Sequence, residues 1–237
     1  MSERFFTTTP PRDGRAVLAG DEARHLAKVL RAREGDAVVL FDGRGRSWSA
    51  RVARIGRDTV DLDTGAPQIE TAGAAVRLTL AVALPKGDRQ KWLVEKLTEL
   101  GVAALVPLET SRGVAEATDG ARARLERGVI EACKQCGRNT LMQIAAGRRL
   151  DRLLAEAGAD TRIVIADPGG GPLDAAAPTA AEVMALVGPE GGFTADEVAA
   201  AEAAGAVRVS LGPHILRVET AAIAVAARFA AAAAGRV

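Results

Sequence analysis

From Val76 onward the chain alternates short, nearly continuous apolar runs with stretches of helical spacing, and this alternation restricts the fold more than any other feature. Val76 to Leu84 is apolar at almost every position, as a strand buried on both faces requires. Asp88 to Leu100 follows, placing Trp92, Leu93, Leu97 and Leu100 on one helical face. The pattern continues with a strand at Ala103 to Val106, a helix at Asp119 to Gln135, and strands at Ile163 to Ala166 and Val183 to Val187. Thr194 opens a further helix through a Thr-x-x-Glu capping box to Glu197, Val207 to Ser210 is a last short strand, and a helix runs from about Val218 to the end. Strands separated by helices are joined by crossovers rather than hairpins. Residues 74–237 are therefore predicted to form an α/β layer structure around a mostly parallel sheet.

Residues 1–70 carry another pattern. Ala37 to Phe41 is a short apolar run, Asp42-Gly43-Arg44-Gly45 is a turn signal, and Ser47 to Ile55 roughly alternates. These features predict a small β-rich unit. It holds one helix, Asp21 to Arg31, with Asp21 as cap and Leu26, Val29 and Leu30 as its apolar stripe. Gly65-Ala66-Pro67-Gln68 through Gly73 is the predicted linker between the two parts.

Composition excludes several classes. An apolar fraction of 48% against 26% charged residues argues against wholesale disorder. The two cysteines, Cys133 and Cys136, are too few for a disulfide framework and fit a reducing, cytoplasmic compartment. The start, Met1-Ser2-Glu3-Arg4-Phe5-Phe6, lacks the basic-then-apolar build of a signal peptide. Ala221 to Ala234 is short, alanine-rich and broken by Arg228, so no membrane partner is expected. The net charge of +1 hides an asymmetry: the first 150 residues sum to +6 and the last 87 to −5. Arg24 to Arg57 is the sharpest excess, with nine basic against three acidic residues, and it includes Arg31. Such a patch is either a solvated arginine-rich surface or a face for nucleic acid. With no Tyr and seven aromatic residues in all, a stacking platform of the RNA-recognition-motif kind is disfavoured.

The familiar cofactor motifs are missing: there is no P-loop, no Gly-x-Gly-x-x-Gly after a predicted strand, and no Gly-x-Ser-x-Gly elbow. A zinc site from Cys133, Cys136, His25 and His214 is conceivable. A single Cys-x-x-Cys inside a helix reads better as packed residues, so no metal is expected. Two segments exceed what folding needs. The first is Leu186-Val187-Gly188-Pro189-Glu190-Gly191-Gly192-Phe193-Thr194, between a strand and a capped helix. The second runs from Val209-Ser210-Leu211-Gly212-Pro213-His214 through Ile215-Leu216-Arg217-Val218 to Glu219-Thr220-Ala221, again strand, Gly-Pro bend and helix start. Glycine lets a backbone approach a ligand closely, and bends at the carboxyl ends of sheet strands are the usual ligand sites of α/β folds. Together the two bends predict a pocket for a flat heterocycle held by main-chain groups. Glu219 alone is also explained as an acidic residue at a helix N-terminus.

The pairing of Gly188-Pro189-Glu190-Gly191-Gly192-Phe193 with Ser210-Leu211-Gly212 and Ile215-Leu216-Arg217-x-Glu219-Thr220-Ala221 resembles the SPOUT-class methyltransferases, in particular the 16S rRNA (uracil-N3) methyltransferases of the RsmE type. Lys86-Gly87-Asp88-Arg89 with Glu95 to Val102, Glu131 to Arg138, Arg4-Phe5-Phe6 and His25 to Arg31 extend the resemblance over essentially the whole chain. It implies a C-terminal SPOUT (α/β trefoil-knot) methyltransferase domain behind a small N-terminal PUA-like β-barrel domain for RNA. It also implies S-adenosyl-L-methionine in the knot and an obligate-type homodimer acting on 16S rRNA or the assembled 30S subunit. Leu186, Gly188, Pro189, Glu190, Gly191, Gly192, Leu211, Gly212, Ile215, Leu216, Glu219, Thr220 and Ala221 are then the expected cofactor residues. Arg138, delivered across the dimer interface, and Arg217 are the guanidinium groups expected to stabilise a developing uridinate, with either able to bind a phosphate instead. Glu190 or Glu219 is expected either to act as base or to hold the cofactor's polar groups. Arg4, Arg24, Arg31, Lys86, Arg89, Arg112 and Arg138 are the expected RNA contacts. His214, Val218 and Cys136 depart from the pattern, where Arg, Thr and Ser are usual, and Met142 stands in place of a usual proline. Two other functions fit the composition: a non-catalytic RNA-binding or ribosome-assembly module, and an α/β enzyme with a nucleotide as substrate.

Overall fold

A computed structural model describes residues 3–70, 76–113, 119–173 and 181–234. The chain divides into two units, Met1–Thr71 with Ile130–Leu141 and Ala72–Val129 with Met142–Val237.

The first unit contains β1 (Glu3–Phe6), β2 (Arg15–Ala19), α1 (Gly20–Arg24), β3 (Ala37–Phe41), β4 (Arg46–Ile55), β5 (Thr59–Thr64) and β6 (Gln68–Ile69). Its sheet runs β1-β3-β4-β5-β2, with β6 against β4. Only β1 and β3 pair in parallel; the other pairs are antiparallel. Phe5, Leu18, Leu26, Leu40, Trp48, Val52 and Leu62 fill the interior. The Phe5 ring meets the edge of His25 at 6.1 Å between centroids, a packing contact.

Three local expectations are corrected here. The helix does not run from Asp21 to Arg31. Its α-helical part ends at Arg24, and His25–Val29 is π-wound, with Leu30 N–H donating to the His25 carbonyl at 3.0 Å. The i→i+5 turn shifts the phase of the stripe, so Leu26 stays buried while Val29 is 68% exposed. Asp21 is not a cap: it lies in the first turn and pairs with Arg24 at 3.1 Å. The linker is partly sheet, because Gln68 and Ile69 pair with Ser47 and Arg46; its residues 71–73 lie outside the described residues.

The second unit supplies β7 (Arg77–Val82), α2 (Asp88–Glu99), β8 (Ala104–Glu109) and α3 (Asp119–Cys136), whose last residues belong to the first unit. It continues with β9 (Gln143–Ile144), β10 (Arg148–Arg149), α4 (Leu150–Glu156), β11 (Thr161–Pro172), β12 (Glu182–Val187), α5 (Ala195–Ala203), β13 (Val207–Ser210) and α6 (Val218–Ala234). The strand order is β10-β8-β7-β12-β11-β13, with β9 on β8, and every described pair is parallel. Ala81, Val106, Leu108, Ile163, Ile165, Met184 and Leu186 face one side of the sheet, where α4 and α5 add Leu150, Leu153, Val198 and Ala201. The other side is closed by α6, which packs on β7 and β12 and against α2. Covering both faces is why these strands read as continuous apolar runs. Leu93 and Leu97 of α2 are fully buried, but Trp92 is exposed, one position off the buried stripe. Among the described residues no helix is long and apolar enough to cross a membrane.

Candidate functional site

The bends after β12 and β13 meet the irregular middle of β11, where its pairing with β13 shifts register, and enclose a groove of about 310 Å3. Val187 to Phe193 forms one wall, Ser210 to Gly212 with His214, Ile215 and Leu216 another, and Ala166-Asp167-Pro168 a third; Val218 and Ala221 of α6 complete it. The third wall has no counterpart in the sequence reading. Its signal was a Gly169-Gly170-Gly171 run directly after an apolar strand.

Each wall is shaped by local chemistry. Gly192 has φ +66° and Gly212 φ +129°, backbone conformations that favour glycine. A Cβ at Gly188 would come within 3.1 Å of the Phe193 ring. A Cβ at Gly170 would sit 2.5 Å from Val209 N, so glycine is what allows β11 to lie along β13. Asp167 receives Arg208 Nε at 2.9 Å and Gly169 N–H at 2.8 Å, which pins the third wall. The Thr194–Glu197 capping box forms as expected, and Glu197 does more: its second oxygen accepts Ser111 N–H at 2.8 Å. Burial alone raises the pKa of Glu197. The hydrogen bonds from Ser111 and Thr194 outweigh burial and hold the carboxyl below the usual glutamate range. The segment after β8 is thereby tied to the bend after β12, and Arg112 Nη1 adds a bond to the Gly191 carbonyl at 2.7 Å.

Beside the groove lies a second cavity of about 270 Å3, at the carboxyl ends of β7 and β8. Ala83, Leu84, Pro85 and Leu108 are buried in its wall, while Lys86, Arg89, Arg112 and Gly113 surround it. Pro189 and Glu190 belong to both cavities. Arg89 Nη1 stands 3.5 Å from Glu190 Oε1 and 3.7 Å from Glu219 Oε2. Glu219 is only 5% exposed, and its Oε2 has no hydrogen-bond partner. An acidic residue at a helix N-terminus would ordinarily be solvated, so the helix-end explanation leaves this burial unexplained.

The predicted residues therefore separate into groups. Gly188, Pro189, Glu190, Gly191, Gly192, Leu211, Gly212, Ile215, Leu216 and Ala221 share the groove. Ile215 is 87% exposed at its rim and is no core residue. Leu186 lies fully buried beneath the bend, and Thr220 is exposed off the groove wall. Arg217 is exposed and its neighbours, not it, line the groove. Lys86 and Arg89, from the segment after β7, and Arg112, from the segment after β8, surround one cavity. In the first unit, Arg24 and Arg31 are exposed, whereas Arg4 stacks on Phe41 at 5.1 Å and donates to Asn139. Arg138 is half-buried in that unit, and desolvation lowers its pKa. Cys133 is buried with its thiol pushed up to about 12, chiefly by burial, and Cys136 is exposed. Among the described residues no group of three or more His, Cys, Asp and Glu side chains is arranged to hold a metal ion.

S-Adenosylmethionine fits this groove on structural grounds. Its walls are glycine-shaped backbone with exposed main-chain groups, and its lining is mainly apolar with Phe193, Leu211, Ile215 and Leu216. That is the surface a purine and the aliphatic part of the methionyl chain require.

Comparison with known proteins agrees with the geometry. The RNA methyltransferase domain family matches residues 73–230, and the RNA methyltransferase PUA domain family matches residues 18–64. The chain is 34% identical over 234 residues to ribosomal RNA small subunit methyltransferase E of Mycobacterium bovis, covering 92% of this chain and 87% of that one. It is 28% identical over 217 residues to the Bacillus subtilis protein of the same name, covering 86% and 85%. Among solved structures, ribosomal RNA small subunit methyltransferase E from Neisseria gonorrhoeae bound to S-adenosyl methionine superposes with a TM-score of 0.89 at 30% identity, over 96% of each chain. A Legionella pneumophila methyltransferase in complex with the same cofactor gives 0.88 at 28% identity, over 98% of each.

Proposed function

Because the chain belongs to the ribosomal RNA small subunit methyltransferase E family, we propose that it methylates N3 of a uridine in 16S rRNA. It is an S-adenosylmethionine-dependent rRNA methyltransferase of SPOUT fold with an N-terminal PUA domain. The observation that carries the reading is the convergence of the Gly188–Gly192 and Ser210–Leu216 bends on one groove at the carboxyl edge of a parallel sheet.

Gly188, Gly191, Gly192, Leu211, Gly212, Ile215 and Leu216 hold the cofactor by backbone and apolar contacts. When bound, S-adenosylmethionine supplies an electrophilic methyl group on a sulfonium. The protein's task is to present a nucleophile and remove its proton. Uridine N3 lies on the Watson–Crick edge and is protonated at neutral pH, so the base must leave its pair and give up that proton. Glu190, at the wall shared by the two cavities, is the acceptor best placed for it. A guanidinium beside the base then stabilises the charge on the uracil carbonyls; Arg138 from a second copy is assigned this role, with Arg217 the alternative. Lys86, Arg89, Arg112, Arg24 and Arg31 contact the RNA. Arg4 acts indirectly, bracing Asn139 beside Arg138. The protein works as a homodimer in the cytoplasm, with the bends around the groove knotted as a trefoil.

Methyl transfer from labelled S-adenosylmethionine to 30S subunits, deproteinised 16S rRNA and tRNA tests this. Incorporation at a small-subunit uridine is expected, and no incorporation into any RNA refutes it.

A further inference from the structure

We infer that Arg208, which is not among the residues lining the cofactor groove, sets the groove's affinity for S-adenosylmethionine by fixing the shape of its third wall; this rests on the methyltransferase reading above. Arg208 is a positioning residue that acts through Asp167. The path of β11 gives the first reason. Ala166 pairs with Val209 of β13, and so does Gly171 further along the same strand. The residues between them, Asp167 to Gly170, therefore bulge out of register, and Ala166, Asp167 and Pro168 line the groove. A strand in unbroken register would supply no third wall.

The second reason is what holds the bulge. Gly169, Gly170 and Gly171 have no side chains to anchor it, and glycine loses more conformational freedom on ordering than any other residue. Pro168 fixes its own φ but has no N–H to donate. Among the described residues, every side-chain hydrogen bond to the bulge passes through one oxygen, Asp167 Oδ1. It accepts Gly169 N–H at 2.8 Å, Arg208 Nε at 2.9 Å and Arg208 Nη2. Gly169 lets the guanidinium lie close, because a Cβ there would collide with Nη2. The Asp167 and Arg208 side chains are 14% and 36% exposed, so solvent and salt screen the pair less than a surface pair.

The third reason is where Arg208 is rooted. It belongs to β13, next to fully buried Val209, and the same strand ends at Ser210 in the second wall. One side chain thus ties the third wall to the strand that carries the second. A ligand that needs the formed wall binds with an apparent dissociation constant raised by the inverse of the fraction of protein in which that wall is formed. Removing Arg208 lowers the fraction while leaving every groove-lining residue in the sequence. β12 stands between the bulge and the second cavity, so the residues around that cavity keep their places.

The test uses the full-length protein. Arg208→Ala and Arg208→Gln should each raise the S-adenosylhomocysteine Kd, measured by calorimetry, at least fivefold. The KM for 30S subunits at saturating S-adenosylmethionine should stay within twofold of the parent. Without ligand, hydrogen–deuterium exchange should quicken across residues 166–172 and stay unchanged across α2. Thermal melts show whether each variant is folded at the assay temperature, and if Arg208→Ala is not, Arg208→Gln decides. A Kd less than fivefold above the parent's in the folded variants overturns the assignment. Weaker binding without quicker exchange across 166–172, or with a 30S KM that rises alongside it, overturns it too. Parent protein that binds no S-adenosylhomocysteine and methylates no RNA would instead strike the methyltransferase reading, so the two failures are distinct.

Discussion

Glu197 offers the sharpest test of how the site is assembled. Its carboxylate closes the capping box with Thr194 and also accepts Ser111 N–H, both at 2.8 Å, so one side chain ends α5 and clasps the segment carrying Arg112. Glu197→Ala removes the return bond of the box, worth up to about 1 kcal/mol by analogy with lost caps. It also removes a charge-assisted bond to Ser111, worth about 1.5–3 kcal/mol. The total of about 1.5–4 kcal/mol should lower the melting temperature by roughly 3–16 °C at about 2–4 °C per kcal/mol for a domain of this size. Glu197→Gln, left with one acceptor oxygen for two donors, should fall between. The effect should depend on pH. The carboxyl titrates below the usual 4.5 in the folded protein, so its contribution is fully present above that value and is lost as pH falls through the folded pKa. Melting curves of parent and Glu197→Ala should therefore converge in acid. Parent and variant melting together at pH 7 would show that the clasp does not hold the site.

Three further outcomes are expected. Gly192→Val, forcing a β-branched residue to φ +66°, should weaken S-adenosylhomocysteine binding by about tenfold or more, since left-handed backbone costs roughly 1–2 kcal/mol; calorimetry reads this directly. Arg138→Ala should slow turnover on 30S subunits at least tenfold with cofactor affinity nearly unchanged; normal turnover would remove Arg138 from the mechanism. Native protein treated with iodoacetamide at pH 8 should be modified at Cys136 and spared at Cys133, whose buried thiol is pushed up to about 12; mass spectrometry of the peptide separates the two.

Much of the architecture was legible because burial on both sheet faces writes itself into composition: Leu78 to Val82 and Val183 to Val187 can hardly be anything but central strands. The extension of β11 through Gly169-Gly170-Gly171-Pro172 was not, since those residues have no strand propensity. Their pairing with Val209 and Ser210 depends on how closely glycine lets the two backbones approach. The π-turn at His25–Val29 and the pairing of Gln68-Ile69 with β4 are likewise set by tertiary contacts and leave no periodic trace. The two Gly-Pro bends were readable as a pocket because glycine and proline mark backbone shape locally. The second cavity was not, because Lys86, Arg112 and Glu190 come from three separated segments that only the strand order brings together.

The bend after β12 is a party wall between two cavities, because Pro189 and Glu190 line both. Trimming Pro189 or Glu190 to admit a donor carrying a larger alkyl group would also reshape the cavity on the other side. Re-engineering this enzyme to deliver longer chains should therefore start at the far bank of the groove, around Asp167 and Pro168, where added room takes nothing from the neighbour.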